Sequence, residues 1–272
     1  MANPTYQSGF YAPGRGTAKY PELWDGCVGA WNPGLGNTGL SLRDWSGNQN
    51  NGTLTNGPTW DVSGGQQALS FDGVNDYVSA TPSLNGLSQF SLSMWVKAGS
   101  ASDGYFSYGI SSSYTTDIFL YANAGVLNIQ VNNGTDGAGT VAYTPNASVW
   151  RYITVVFDGG QTGNIARLKM FVDGVQQILA YGYTVPAVTA SPVSPVAWIG
   201  HYKSSPTSPW PLLGHITDTR VYNRALSLNE IRTLAQRPGV AYELAPRKFY
   251  SLPAAASSRQ YRLFRPSILR GA

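Results

Sequence analysis

Cysteine, histidine and glutamate are almost missing from this chain, and each shortage excludes something. The 272 residues hold one cysteine, Cys27, so no internal disulfide forms and stability must come from packing, with Cys27 itself expected as a small buried hydrophobe. Two histidines, His201 and His215, cannot build a zinc centre with a single cysteine. The only glutamates are Glu22, Glu230 and Glu243, towards the two ends, so the paired carboxylates of a glycosidase find no strand to alternate along. No Gly-x-Ser-x-Gly elbow and no phosphate-binding glycine loop occurs. A non-catalytic protein is therefore expected.

Charge and long apolar runs are also scarce. Asp, Glu, Lys and Arg make up 12% of the chain, and no stretch approaches the roughly 18 apolar residues of a membrane-spanning helix, which points to a soluble protein with no membrane partner. The opening residues, MANPTYQSGF, lack the basic and apolar regions of a secretory leader, so synthesis in a cytoplasm is expected.

Glycine (31), proline (17), tyrosine (17) and tryptophan (8) are abundant, the profile of many short strands joined by tight turns, and 272 residues fit one such domain. Period-two alternation recurs along the chain. In residues 90–96 it puts Phe90, Leu92, Met94 and Val96 on one face and Trp95 on the other. Similar runs occupy 68–71, 77–79, 118–121, 126–131, 152–157, 168–172, 196–199 and 216–222, separated by Asn-Gly and Asp-Gly turns. One helical signal follows at 226–234, where Ser227 and Glu230 form a capping box and Leu228, Ile231 and Leu234 face one way. The predicted architecture is an all-β, antiparallel jelly-roll sandwich over residues 28–236, with one short C-terminal helix and extended arms at 1–27 and 237–272.

The arms differ from the body in charge. Seven of the eighteen lysines and arginines fall after residue 236 against one acid, Glu243, so the basic pI near 9.1 is a property of the tail. Its cations interleave with aromatics, and docking onto a neighbouring protein is the leading reading, ahead of nucleic-acid binding or plain disorder. Tyr6, Phe10 and Tyr11 in the first arm, with Phe249, Tyr250, Arg262, Phe264 and Arg265 in the second, are the candidate assembly residues.

Four passages carry a resemblance. They are residues 42–54 (LRDWSGNQNNGTL), 68–78 (ALSFDGVNDYV), 150–158 with 168–174 (WRYITVVFD, LKMFVDG) and 214–227 (GHITDTRVYNRALS). In this order they resemble the laminin-G-like branch of the concanavalin A-like lectin and glucanase superfamily, as found in bacteriophage virion proteins. The resemblance implies a structural calcium where the first and last strands meet, with Asp44, Asn48 and Asp218 as ligands. The same aspartates can instead cap turns, and this chain has Thr217-Asp218-Thr219 where the family often has two acids. The segment 71–77 reads as a tight turn, with a calcium loop as the alternative.

Such domains bind glycans or proteins. Combined with the arms, the resemblance leads to a virion surface protein, a capsid decoration or a fibre or tail adhesin of a tailed phage. Capsid or tail proteins would be its partners, the assembly a homo-oligomer with a trimer as the guess, and host-surface glycan a further ligand. The alternative is a lectin module outside any virion. Tyr105, Tyr108, Tyr202 and Trp210 are the candidates for stacking on sugar, with rim packing or subunit contact as the competing reading.

Overall fold

Alternation along the strand Gln89–Ala98 sends Phe90, Leu92, Met94 and Val96 to one side and Trp95 to the other, and both sides are buried. The computed structural model, which describes residues 17–36, 39–110, 116–134, 136–144, 148–203 and 209–246, shows what covers each side. Two antiparallel sheets pack face to face. The first runs Val175–Gln176, Leu168–Val172, Arg151–Asp158, Gln89–Ala98, Leu213–Tyr222, Gln66–Asp72, Thr59–Ser63, and Cys27–Trp31 pairs with the later half of Leu213–Tyr222. The second runs Ala180–Tyr181, Asp136–Ala142, Val126–Asn132, Ile118–Asn123, Asp103–Gly109, Val196–Ile199, Tyr77–Ala80, Gly52–Thr55, Ser41–Leu42. Neighbours distant in sequence make this a jelly roll. Its main core lies between the sheets, where Phe90 and Phe157 meet at 5.3 Å among residues such as Leu92, Phe106, Ile129 and Ile153.

A second apolar cluster lies on the outer face of the first sheet. There Trp95, Tyr152, Val156, Phe171 and Tyr222 point outward and need cover, which three short pieces supply: Pro21–Trp24, the helix Leu228–Leu234 and Val240–Tyr242. The helix starts as expected, with Ser227 accepting from the Glu230 amide and the Glu230 carboxylate accepting from the Ser227 amide at 2.8 Å. Ile231 and Leu234 are buried, but Leu228 in the first turn is half exposed because Leu226, just before the helix, takes the covered place.

The boundaries expected at 27/28 and 236/237 fall within this cluster, so residues on both sides of each pack into one apolar layer. Leu23, Trp24, Val240, Ala241 and Tyr242 are all buried in it. The two terminal segments are zipped together over the sheet: Ala18 and Leu244 form an antiparallel bridge, the Lys19 amide donates to the Glu243 carbonyl at 2.8 Å, and the Ala245 amide to the Thr17 carbonyl at 2.9 Å. Arg224 rivets the N-terminal one to the helix, donating from Nε to the Asp25 carbonyl (2.7 Å) and from Nη2 to the Glu22 carbonyl (2.9 Å) and Glu230 Oε1 (2.6 Å). Cys27 is buried beside them, and burial pushes its thiol up to about 12, leaving it unreactive. The proposed assembly residues Tyr6, Phe10, Tyr11, Phe249, Tyr250, Arg262, Phe264 and Arg265 lie outside the described residues.

Candidate functional site

The outer face of the second sheet has a different makeup. Along Ile118–Asn123 and Val126–Asn132, alternation commits Ile118, Leu120, Ala122, Leu127, Ile129 and Val131 to the core, so Phe119, Tyr121, Asn128 and Gln130 face outward. The turn between these strands, Ala124-Gly125, has positive φ at both residues (50° and 80°), the geometry whose twist matches a tight hairpin. It fixes the register, setting Tyr121 opposite Asn128 opposite Thr140, and Phe119 opposite Gln130. Asn128, Gln130 and Thr140 are partly exposed and form a strip of amides and hydroxyl.

A two-stranded ribbon, His201–Lys203 with Pro209–Pro211, lies against this face at one end of the strip. Ser107 Oγ donates to the His201 carbonyl at 3.0 Å, and Gly104 lies directly beneath, where a Cβ would stand 2.1 Å from the Tyr202 amide nitrogen and 2.3 Å from the Trp210 carbonyl oxygen. Only glycine permits that approach. The ribbon brings Tyr202 onto Phe119 (4.5 Å between ring centroids) and Tyr121 (4.6 Å), and Trp210 onto Tyr121 (5.4 Å) and Tyr202 (5.5 Å). Phe119 and Tyr121 form the buried base, while Tyr202 and Trp210 stand half buried above it.

The strip is neutral. Gln130 Nε2 donates to the Tyr121 hydroxyl at 3.1 Å, Asn128 Nδ2 to the Val126 carbonyl at 2.8 Å, and Thr140 Oγ1 to the Ala180 carbonyl at 3.4 Å. Among the described residues, the side-chain carbonyls of Asn128 and Gln130 accept no hydrogen bond, which leaves them available to a ligand. Burial pushes the Tyr121 phenol up to about 12, so it stays protonated and can both donate and accept. Ring faces that stack on C–H surfaces, next to amides that bond hydroxyls, suit an uncharged polyhydroxylated ligand.

Of the expected sugar-stacking residues, Tyr202 and Trp210 are brought together here and the other two are corrected. Tyr105 and Tyr108 are buried in the main core, because their strand Asp103–Gly109 is covered on both sides, by the ribbon and by the opposite sheet. The Tyr108 hydroxyl accepts from the Leu84 amide at 3.0 Å and donates to Asn85 Oδ1 at 2.8 Å. Sequence reasoning missed Tyr121, Asn128 and Gln130, although the alternation Leu127, Asn128, Ile129, Gln130, Val131 carried the signal.

The calcium ligand set is corrected as well. Asp44 Oδ1 accepts from the amides of Ala30 (2.9 Å) and Ser46 (2.8 Å), and Oδ2 from Ser46 Oγ (2.7 Å) and the Asn50 amide (2.9 Å). Asn48 turns its NH2 group to the Cys27 carbonyl (3.1 Å) and Ser46 Oγ (3.0 Å). Asp218 accepts from Arg220 Nε (3.0 Å) and the Gly239 amide (2.8 Å). These oxygens already serve N–H and O–H donors that a cation would displace, so the residues do not fit a calcium site; they fasten the junction of the first and last strands. Among the described residues no group of three or more metal-ligating side chains occurs. At 71–77 the turn reading holds, with Asp72 Oδ1 accepting from the Val74 amide (2.8 Å), Asp76 Oδ2 from the Asp72 amide (3.1 Å), and Gly73 at φ 78°.

A family model described as the concanavalin A-like lectin/glucanases superfamily, of the laminin G type, matches residues 72–232. Among solved structures the chain is similar to domain 4 of AbnA, a GH43 extracellular arabinanase from Geobacillus stearothermophilus, in complex with arabinotriose. The identity is 19% and the TM-score 0.60, over 77% of this chain and 98% of that one. It is also similar to the binding domain of botulinum neurotoxin serotype D, at 12% identity and TM-score 0.58 over 79% of this chain and 52% of that one. A type C neurotoxin structure, whose cell entry depends on two ganglioside molecules, matches at 12% identity and TM-score 0.57, over 80% and 52%. The chain thus spans about half the length of the toxin domains. No curated protein sequence matches it.

Proposed function

This chain belongs to the laminin G type of the concanavalin A-like lectin/glucanases superfamily, and from that premise we propose that it is a non-catalytic glycan-binding module displayed on a virion surface. The observation that carries the glycan reading is the half-buried Tyr202–Trp210 pair standing beside the neutral strip of Asn128, Gln130 and Thr140. Neighbours of the same fold solved with arabinotriose or tied to gangliosides support the ligand class. The non-catalytic reading is supported by where the glutamates lie. Glu230 and Glu243 are engaged by Arg224, Lys19 and Arg237, and Glu22 lies in Pro21–Trp24, all on the outer face of the first sheet and away from the aromatic strip.

A glycan array followed by calorimetric titration tests the site. Trp210→Ala and Tyr202→Ala are expected to remove binding while leaving the melting temperature nearly unchanged. Binding that persists in both variants overturns the assignment.

The virion reading is supported by the chain ends. Residues 17–19 and 243–245 lie side by side on the first sheet's outer face, opposite the aromatic strip, and residues 247–272 hold six of the eighteen cations and no acid. Capsid or tail proteins, and sister subunits in a trimer, are the proposed partners of these segments. Sedimenting particles from a lysate tests this: the chain is expected to pellet with them, and recovery wholly in the supernatant overturns it.

A further inference from the structure

The Tyr202–Trp210 pair stands at one end of a row that crosses the second sheet. The register sets Tyr121 opposite Asn128, Asn128 opposite Thr140 and Thr140 opposite Ala180, all on the outer face. The ribbon closes the near end of that row. It lies on Asp103–Gly109, the strand beyond Tyr121, and is fastened at its foot: the Gly200 amide donates to the Tyr105 carbonyl (2.9 Å), the Leu212 amide to the Gly200 carbonyl (2.9 Å) and the Leu213 amide to Asp103 Oδ1 (2.9 Å). No ligand passes beneath it, because a single Cβ on Gly104 would already stand 2.1 Å from the Tyr202 amide nitrogen. The far end differs. Thr140 is half buried, and Ala180, with one methyl group, is exposed on the last strand of the sheet. A floor walled at one end only receives the end of a chain, whereas a site for chain interiors must be open at both.

Neighbouring strands lie about 4.8 Å apart, while outward side chains along one strand recur at about 6.8 Å. One ring of an extended glycan chain advances by close to the shorter distance, so successive rings meet successive strands. The first meets Tyr202 and Trp210 above Tyr121, the second Asn128 and the third Thr140. Each place offers a different group: ring faces for a C–H surface, then the Asn128 side-chain carbonyl with Gln130 beside it, then the Thr140 hydroxyl, held only loosely by the Ala180 carbonyl at 3.4 Å. Beyond Thr140 the row ends in the methyl group of Ala180, and a fourth ring gains little. None of Phe119, Tyr121, Asn128, Gln130, Thr140 and Ala180 carries a charge. Given the glycan reading proposed for this site, on which the inference rests, we infer that it binds the last three rings of an uncharged oligosaccharide. The chain lies across the strands, its end ring against Tyr202 and Trp210 and its remainder leaving over Ala180.

Saturation-transfer NMR on the full chain tests this, with soluble linear oligomers of glucose, N-acetylglucosamine, mannose, galactose, xylose and arabinose from one ring to six. Irradiation of the aromatic protons is expected to label one terminal ring most strongly. Affinity is expected to rise at least about tenfold from one ring to three and then to level off. Thr140→Val, which keeps the shape and removes the hydroxyl, is expected to weaken the trimer about three- to tenfold and to leave the monomer and dimer unchanged. Strongest labelling of an inner ring, affinity that does not grow beyond one ring, or equal weakening of every length by Thr140→Val overturns the inference and leaves the glycan reading in place. Transfer to none of the six series overturns the glycan reading itself, and this inference with it.

Discussion

The two outer faces of this sandwich follow the same period-two rule and meet opposite fates. On the first sheet the outward positions hold Trp95, Tyr152, Phe171 and Tyr222, and the segments Pro21–Trp24, Leu228–Leu234 and Val240–Tyr242 cover them as a lid. On the second they hold Asn128, Gln130 and Thr140, which are left partly open, with cover only where the ribbon carrying Tyr202 and Trp210 crosses. The side chains on the outward register, and not the sheet itself, decide which face becomes a second core and which is left open as the proposed binding surface.

The sharpest way to break that comparison is to make one substitution on each face. Trp24→Ala is expected to cost about 3–5 kcal/mol in denaturant unfolding, as for other buried aromatics. Trp210→Ala is expected to cost about 1 kcal/mol or less while removing glycan binding. Equal losses of stability would mean that the lid is no more part of the body than the ribbon is. Next in size is Gly104→Ala, whose methyl would strike the ribbon backbone. A cost of about 1–3 kcal/mol is expected from overpacking, with weakened glycan binding and unchanged amide protection in residues 17–25.

Titration separates the faces by sign. Two carboxyls of the second sheet and its rim are pushed up by burial, Asp103 to about 6 and Asp117 to about 7. Because the folded state holds their protons more tightly than the unfolded chain does, their contribution is fully present below about pH 4 and is lost as pH rises through 6 and 7. Lid acids behave in the opposite way. Burial opposes ionisation of Glu230, but its bonds from Arg224 and Ser227 win and lower it, while the Lys19 bond lowers Glu243. Their contribution is present above about pH 4.5 and lost as pH falls through the depressed values. Melting temperatures of the wild type and Asp117→Asn between pH 5 and 8 are expected to diverge, the variant losing less as pH rises. Hydrogen exchange corrected for intrinsic rates is expected to show the lid loosening first below pH 4. A pH-independent difference between the two proteins would contradict the assignment to Asp117. The smallest expected effect is Ser227→Ala, about 1 kcal/mol from loss of the helix cap, read by the same unfolding measurement.

The fold was legible where one strand carried its own evidence. Phe90, Leu92, Met94 and Val96 against Trp95 announced both faces of a central strand, and Ser227 with Glu230 announced the helix. The lid was not legible, because Leu23, Trp24 and Tyr242 sit in short 3-10 turns with no period, and their partner surface lies roughly two hundred residues away for the first two. Half of the aromatic site was misread for a related reason. Tyr105 and Tyr108 look like exposed rim aromatics until the ribbon near residue 201 is known to cover their strand. Asp44 and Asp218 were correctly placed at the strand junction by resemblance, but nothing local indicated that backbone amides and Arg220 had already claimed their oxygens.

The bridge between Ala18 and Leu244 also sets how the molecule responds to load. Because the neighbouring bond joins Thr17 to Ala245 at the open end of the zipper, pulling the two ends apart strains one hydrogen bond at a time, in sequence towards Lys19 and Glu243. Such a seam peels at low force, whereas the long strand pairs of the sandwich lie off the line of tension until the cover has been stripped. A pull applied through residues 17 and 246 is thus expected to open this seam before it reaches the sandwich.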